Sequence, residues 1–343
     1  MRGMNDLLPG RSDVWYRVES AIREVVNSYG YREIRTPLLE RTELFKRSIG
    51  EQTDIVEKEM YTFDDISGDS LTLRPEATAA CVRAGIEHGF LHNQHHRLWY
   101  MGPMFRRERP QKGRYRQFQQ FGIEALGWSG PDIDAEIMMV GTRLWRQLGL
   151  SRLTLEINTL GDPEARGLYR EALKSYLDRH RDDLDPDSQR RLDRNPLRIL
   201  DSKVPQTRQI LAEAPDLLSF IDGQSKDDFS LLQTILSENG IEFEVNSRLV
   251  RGLDYYTGPV FEWTTDLLGA QNAVCAGGRY DGLVLQLGGQ PVPAAGFACG
   301  VERLVEVYEN IAGATVNNQP DVWVCVIGSH TMSYALKTAE KLR

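Results

Sequence analysis

The sequence predicts an α+β fold: a sheet-forming domain flanked by helices, split by a helical insertion and followed by the start of a further α/β unit. Three observations carry this expectation. Amphipathic helical stripes bracket the region before Asp162, and period-two strand text lies between and beyond them. Between Asp162 and Glu238 the β-branched runs vanish and charged residues, Leu and Ala take over. A chain of 343 residues with 41% hydrophobic content buries a real core and has room for two or three domains.

After Ser12, read as an N-cap, Trp15, Val18, Ile22, Val25 and Tyr29 recur at three- and four-residue steps, and Gly30 follows as a stop. GYREIRTPLLE reads as a short strand ending at Pro37, whose missing amide hydrogen suits the edge or interface end of a sheet. LWYMGPMFRRE and RYRQFQQFGIEALG are strand-like, and RPQKG between them supplies turn residues, so this is a hairpin with a long loop. From Pro131 to Gly149, Ile133, Ile137, Leu144 and Leu148 form a helical stripe; RLTLEIN then alternates Leu153, Leu155 and Ile157 as a half-buried strand does. The helical stretch that follows is punctuated by Pro186, Pro196, Pro205 and Pro215. Strand text returns with IEFEV, RGLDYYTGPVFEWTT and NAVCAGG, and a last helix begins near Gly300 in GVERLVEVYENI. The expected organisation is a core in two parts, 1–161 and 239–312, around an insertion at 162–238. Beyond the linker AGATVNNQP, within 313–343, DVWVCVIG and SHTMSYALKTAEKLR read as one strand and one helix, too little to bury a core alone.

The formal charge of -8 excludes a protein that coats nucleic acid or membrane by bulk electrostatics, so anion recognition has to be local. Cys81, Cys275, Cys299 and Cys325 form no CxxC pair, which argues against a disulfide framework or a zinc site and fits a reducing compartment. MRGMNDLLPG lacks an apolar leader core and no run approaches the roughly 18 apolar residues of a membrane span. The expectation is a soluble, cytoplasmic protein.

Against that acidic background one stretch stands out. FRRERPQKGRYRQFQQFG places Arg106, Arg107, Arg109, Lys112, Arg114 and Arg116 around a lone acid, Glu108. Strand alternation puts Phe118, Gln120 and Glu124 on one face and Phe121, Ile123 and Ala125 on the other. The second set is core. Arg106 and Glu108 likewise share a face of the incoming strand. Arginines, carboxylates, a glutamine and a phenylalanine on one sheet face are costly unless partners or a ligand satisfy them. A nucleotide does so: arginine grips phosphate bidentately, an aromatic ring stacks on a base, and a carboxylate accepts from an exocyclic amine. The bland alternative is a solvated hairpin edge held by weak surface ion pairs.

Other segments are individually weaker. LRPEATA sets Arg74 and Glu76 at a strand-to-helix boundary with Thr78 in the first helical turn, and Glu76 there simply favours the helix dipole. RGLDYYTG holds Arg251, Tyr255 and Tyr256, and paired tyrosines are more often core than site. AGGRYDGL, with Tyr280, is a glycine-rich turn, which alone is weak evidence for phosphate binding. In GFACGVERL, Arg303 sits in the first turns of a helix, where an arginine is usually solvated but can reach a phosphate with help from nearby amides. His95 and His96 lie in a polar turn and read as surface residues; no metal motif appears.

Together these segments resemble a class II aminoacyl-tRNA synthetase. GYREIRTPLLE, FRRERPQKGRYRQF and GFACGVERL resemble motifs 1, 2 and 3 of that class. RGLDYYTG and AGGRYDGL resemble two histidine-specific signatures, and LRPEATA a substrate loop, which narrows the resemblance to the histidyl-tRNA synthetase family of bacterial type. It covers nearly the whole chain. It implies a catalytic domain on an antiparallel sheet, a homodimer with motif 1 at its interface, ATP with Mg2+, histidine and histidine tRNA as ligands, and histidyl-adenylate as intermediate.

Carried over by motif, the resemblance implies that Arg106 holds the α-phosphate, Glu108 the adenine amine, Phe118 one face of adenine and Arg303 the other, near the γ-phosphate. Arg114 reaches the distal phosphates. Glu76 and Thr78 hold the substrate α-amino group, with Gln120, Glu124, Tyr256 and Tyr280 around the imidazole and Tyr255 counted among the histidine-binding residues. Arg251 contacts the α-phosphate and the substrate carboxylate. A regulatory, non-aminoacylating relative of this fold is expected to lose the catalytic set, whereas Arg106, Glu108, Phe118, Arg251 and Arg303 are all present. Of the family's anticodon-reading domain only the first strand and helix are expected. Histidine activation should survive, while tRNA binding should be weak and salt-dependent.

Overall fold

The computed structural model describes residues 1–51, 53–111, 113–269, 272–312 and 320–343. Helix α1 (Arg11–Ser28) buries Val14, Trp15, Val18, Ala21, Ile22, Val25 and Val26 on one stripe. It starts one residue before Ser12, with Gly10 at the cap position, because the amide of Ser12 is already taken by Leu8 O at 3.1 Å. The expected single strand around Pro37 is two: β1 (Arg32–Glu33) joins the main sheet and β2 (Leu39–Arg41) a small one. Pro37 lacks an amide hydrogen, and the buried guanidinium of Arg74 fills the break, donating to Thr36 O at 2.8 Å and Pro103 O at 3.0 Å.

Helix α2 (Thr42–Ile49), a π-helical turn at Ile55–Glu59, strands β3 (Tyr61–Asp64) and β4 (Ser70–Leu73), and helix α3 (Thr78–Glu87) complete this subassembly. The small sheet runs β2-β4-β3, antiparallel throughout. The hairpin β5 (His96–Phe105) and β6 (Gln117–Leu126), helix α4 (Pro131–Gln147) and strand β7 (Thr154–Thr159) follow.

Residues 162–238 are helical: α5 (Pro163–Asp178), α6 (Pro186–Arg194), α7 (Pro205–Leu211) and α8 (Gly223–Glu238), joined by short 3-10 turns. Of the punctuating prolines, Pro186 and Pro205 open helices and Pro196 a 3-10 turn, while Pro215 opens none; Pro163 likewise opens α5, at a position where a missing amide hydrogen costs nothing. Asp162, Asp185 and Asp222 cap three of them with side-chain oxygens. Phe229, Leu232 and Leu236 of α8 belong to the main core rather than to the packing among α5, α6 and α7. Gly161 lies so close to Ile221 that a Cβ on it would sit 2.8 Å from Ile221 Cγ2.

Strand β8 (Glu244–Val245), the long β9 (Thr257–Thr264), β10 (Ala273–Arg279), the short helix α9 (Leu283–Gln286) and β11 (Ala294–Gly300) lead into α10 (Val301–Ala312). The main sheet runs β1-β5-β6-β11-β10-β9-β7-β8, antiparallel except for parallel pairs at both ends. Helices α1, α4, α8 and α10 pack their apolar residues on one face, against Phe121, Ile123, Phe261, Trp263 and Phe297. The opposite face is left for a cleft.

The expected strand in DVWVCVIG is absent. Among the described residues no neighbouring chain segment offers it a hydrogen-bonding partner, and residues 321–328 run exposed before α11 (Met332–Leu342). The linker expectation falls on 313–319, outside the described residues.

Candidate functional site

Register on the main sheet builds the cleft floor. Glu124 pairs with Gly296, Gly122 with Ala298 and Gln120 with Gly300; the neighbouring strand sets Ala276 beside Ala298, and Glu262 of β9 beside Ala276. One face of β6 therefore presents Phe118, Gln120 and Glu124, and the other buries Phe121, Ile123 and Ala125, as alternation predicts. Small residues keep the floor low. A Cβ on Gly296 would collide with the Glu124 carboxylate and the Ile123 carbonyl, and one on Gly122 with the Tyr100 hydroxyl. The cleft above has a volume of ≈ 600 Å³.

At one end lies a buried acid pocket. Glu124 is 1% exposed and accepts from Thr78 Oγ1 at 2.7 Å and from the Tyr280 hydroxyl. Burial pushes its carboxyl up to about 8, against the lowering effect of these hydroxyl donors. Glu76, equally deep, accepts from the amides of Thr78 at 2.7 Å and Ala79 at 3.1 Å, so the helix-end role foreseen for it is real. Burial raises its pKa too, partly countered by those amides. Tyr255, Tyr256 and Tyr280 form one aromatic cluster, with ring centroids 4.7 Å apart for Tyr255–Tyr256 and 5.5 Å for Tyr255–Tyr280. The paired tyrosines are core residues, and their other side lines the cleft. Gln120 Oε1 is buried without a hydrogen-bond partner, an acceptor open to a ligand donor.

At the other end cations gather. Strand β5 ends at Phe105, so Arg106 and Glu108 lie in the hairpin loop rather than on the strand. Arg106 Nε donates to Pro75 O at 2.8 Å, and its guanidinium stands 5.3 Å from the Phe118 ring centroid. Arg114 pairs with Glu108 at 3.0 Å. Arg303, at the start of α10, donates to Gly113 O at 2.9 Å and Ala273 O at 2.6 Å, tying the hairpin loop to β10. Lys112 of the cationic stretch lies outside the described residues.

Between the two ends, Arg251 Nη1 meets Glu262 Oε2 at 2.7 Å, while Arg251 Nε is buried and unpartnered. The insertion closes one wall: Arg191 and Arg198 reach Asp54, at 3.2 and 4.0 Å, and all three line the cleft. Lys58 joins Asp54 from the adjoining turn at 2.6 Å.

Eleven of the sequence-derived candidates, Glu76, Thr78, Arg106, Glu108, Arg114, Phe118, Gln120, Arg251, Tyr255, Tyr256 and Arg303, line this one cleft. Glu124 and Tyr280 sit directly beneath, joined to it through Thr78 and the tyrosine cluster. His95 and His96 lie elsewhere, and no group of three or more His, Cys, Asp or Glu residues able to hold a metal exists among the described residues. Sequence reasoning missed Glu262, which pairs with Arg251, and Glu302, whose two oxygens accept from Gln119 N at 2.8 and 3.0 Å. Burial moves the Glu302 carboxyl up to about 7. Its position next to Arg303 was the available signal. An arrangement of this kind places an anion between several arginines while a buried acid and hydroxyls hold a polar ring or amine nearby.

The family model described as "Histidyl-tRNA synthetase" matches residues 3–304. Among solved structures, the apo histidyl-tRNA synthetase of S. aureus is 36% identical with a TM-score of 0.80, covering 100% of this chain and 82% of that one. An ATP phosphoribosyltransferase regulatory subunit/histidyl-tRNA synthetase from Bacillus halodurans matches in fold, at 24% identity and TM-score 0.72, over 100% of this chain and 89% of that one. The histidyl-tRNA synthetase of Nostoc sp. shares the fold at 20% identity and TM-score 0.69, over 100% of this chain and 82% of that one.

Proposed function

The chain belongs to the histidyl-tRNA synthetase family, and from that premise we propose that it is an ATP-dependent histidine–tRNA ligase. The observation that carries the reading is the union, in one cleft, of the Glu124 pocket with Arg106, Arg114, Arg251 and Arg303. In the first step a histidine carboxylate oxygen attacks the α-phosphorus of ATP and pyrophosphate leaves, giving histidyl-adenylate. In the second, a terminal ribose hydroxyl of the tRNA attacks the adenylate carbonyl and AMP leaves. The nucleophile is the substrate itself, so the protein's contribution is alignment and charge stabilisation.

Arg106, with Phe118 beneath it, suits the α-phosphate and adenine; Arg114 and Arg303 suit the outer phosphates. Arg251 carries a spare buried donor, which suits charge that grows during the reaction. Glu124, Thr78, Gln120 and the tyrosines suit the imidazole and α-amino group. A pocket that satisfies both ring nitrogens leaves buried groups unpaired with another amino acid, which supports selectivity of order 10⁴. Mg2+ belongs to the nucleotide substrate, entering as MgATP with phosphate oxygens as its ligands.

Homodimerisation through the segment around Pro37 is part of the proposal, supported by the exposed Leu38 and Leu39 that follow it and by the exposed Phe63 two strands away in the same small sheet. Sedimentation as a monomer at micromolar concentration would remove that element. No described helix is long and apolar enough to cross a membrane; a cytoplasmic site of action is part of the proposal and rests on the family.

The deciding experiment is exchange of labelled pyrophosphate into ATP without tRNA. Exchange that depends on histidine, and on no other amino acid, is the expected result. Histidine binding without exchange would replace this reading with the non-catalytic regulatory one.

A further inference from the structure

Arg279 ends β10, next to Tyr280, and its side chain is only 6% exposed. Its whole fork is used. Nε and Nη2 donate to Asp134 Oδ2 at 3.1 and 3.0 Å, and Nη2 also to Gly130 O at 3.0 Å. Nη1 donates to Trp128 O at 3.0 Å and to Asp281 Oδ1 at 3.1 Å. One guanidinium thus joins the turn after β6, the first turn of α4 and the turn after β10. Neither Arg279, Asp134 nor Asp281 lines the cleft.

The clamp continues into the backbone around Tyr280. Asp281 Oδ1 accepts from Ala294 N at 2.9 Å, and Tyr280 N donates to Ala294 O at 2.7 Å. From this fixed base the Tyr280 ring leans edge-on against Tyr255 and Tyr256 and its hydroxyl reaches Glu124. A buried ion pair is a poor stabiliser compared with apolar packing of the same volume. Its distinctive contribution is directional: a planar fork with five donors fixes three segments at once.

We infer that the Arg279–Asp134–Asp281 clamp is a positioning device for the acid pocket, setting where the Tyr280 hydroxyl meets Glu124 and hence how tightly the pocket holds histidine. The inference rests on the proposed histidine-binding role of that pocket. It predicts an effect confined to the amino-acid end of the cleft, because the clamp touches none of the cationic residues at the nucleotide end.

The test is calorimetric titration of histidine, and separately of MgATP, into the full chain and its variants, with a thermal melt of each. Asp134→Asn keeps the shape and removes the charge; it is expected to weaken histidine binding roughly tenfold. MgATP affinity should stay within about twofold, and Asp134→Asn should add little to Tyr280→Phe in the double variant. Arg279→Lys, which keeps charge but loses the fork, should behave like Asp134→Asn. Asp281→Asn, at a carboxylate 44% exposed, gives the same pattern in milder form and serves if Asp134→Asn does not fold. Unchanged histidine affinity in a folded variant, additivity with Tyr280→Phe, or an equal loss for MgATP would overturn the inference alone. Failure of the parent chain to bind histidine would overturn the functional reading and the inference together.

Discussion

Thr78 Oγ1 donates to Glu124 Oε1 over 2.7 Å, joining the first turn of a helix to the floor strand of the cleft 46 positions away. The contact fixes a hydroxyl beside a carboxyl that burial holds at about 8.

A raised carboxyl sets the sign of a pH effect. The unfolded chain loses the Glu124 proton near the ordinary 4.5 while the folded chain keeps it to about 8. The unfolded state therefore binds fewer protons across that window, and this group makes stability fall as pH rises through it, by up to about 1.4 kcal/mol per unit. Glu302, at about 7, and Asp134, at about 6, act with the same sign. Glu124→Gln is expected to flatten its share of the slope in melts across that range and to weaken histidine binding about 10- to 100-fold. A slope identical to the parent's would show that Glu124 is ionised in the fold.

Arg251→Ala is expected to lower the activation rate about 100-fold by removing a donor to developing charge. It also strands Glu262, whose side chain is 19% exposed. Adding Glu262→Gln should restore the melting temperature and leave the rate low. A rate that recovers with the melting temperature would reduce Arg251 to a structural partner.

At Gly296 there is no room for a methyl group beside Glu124 and the Ile123 carbonyl. Gly296→Ala should cost about 1–3 kcal/mol through overpacking and abolish histidine binding by displacing the Glu124 carboxylate. Denaturant unfolding and a histidine titration check both parts; intact histidine binding would show that the floor yields elsewhere.

Asp54 gathers Lys58, Arg191 and Arg198 at the cleft wall. Burial raises its carboxyl, but these three cations outweigh that and hold it below its ordinary 3.8. The pairs therefore persist at neutral pH and are lost only in acid, as pH falls below that value. Asp54→Ala should change global stability by less than about 1 kcal/mol while speeding proteolytic nicking within 162–221, an effect that high salt reproduces in the parent. Unaltered nicking would mean that apolar packing alone holds the wall.

Much of the site was legible because it obeys local rules. Alternation sorted Phe118, Gln120 and Glu124 from Phe121, Ile123 and Ala125, and the strand-to-helix boundary located Glu76 and Thr78. What escaped depends on distant pairing. Arg279 and Asp134 are 145 residues apart and meet only once β10 and α4 are both placed. Glu262 shows its role only when Arg251 folds back onto it across a turn. At Pro37 the text is continuous although the chain changes sheets, because the event that splits it is the arrival of Arg74. DVWVCVIG has the composition of a strand, but a strand exists only with a partner.

Gly161 and Ile221 stand side by side, whereas α8, beyond them, is woven into the main core through Phe229, Leu232 and Leu236. For protein engineering this moves the cut sites. Excising everything through Glu238 would strip a wall from the core, but the stretch 162–221 departs and returns through a single narrow neck. Exchanging it there for another helical module, with α8 left in place, requires a newcomer that replaces both the apolar packing shared with the core and the pairs that Arg191 and Arg198 make with Asp54.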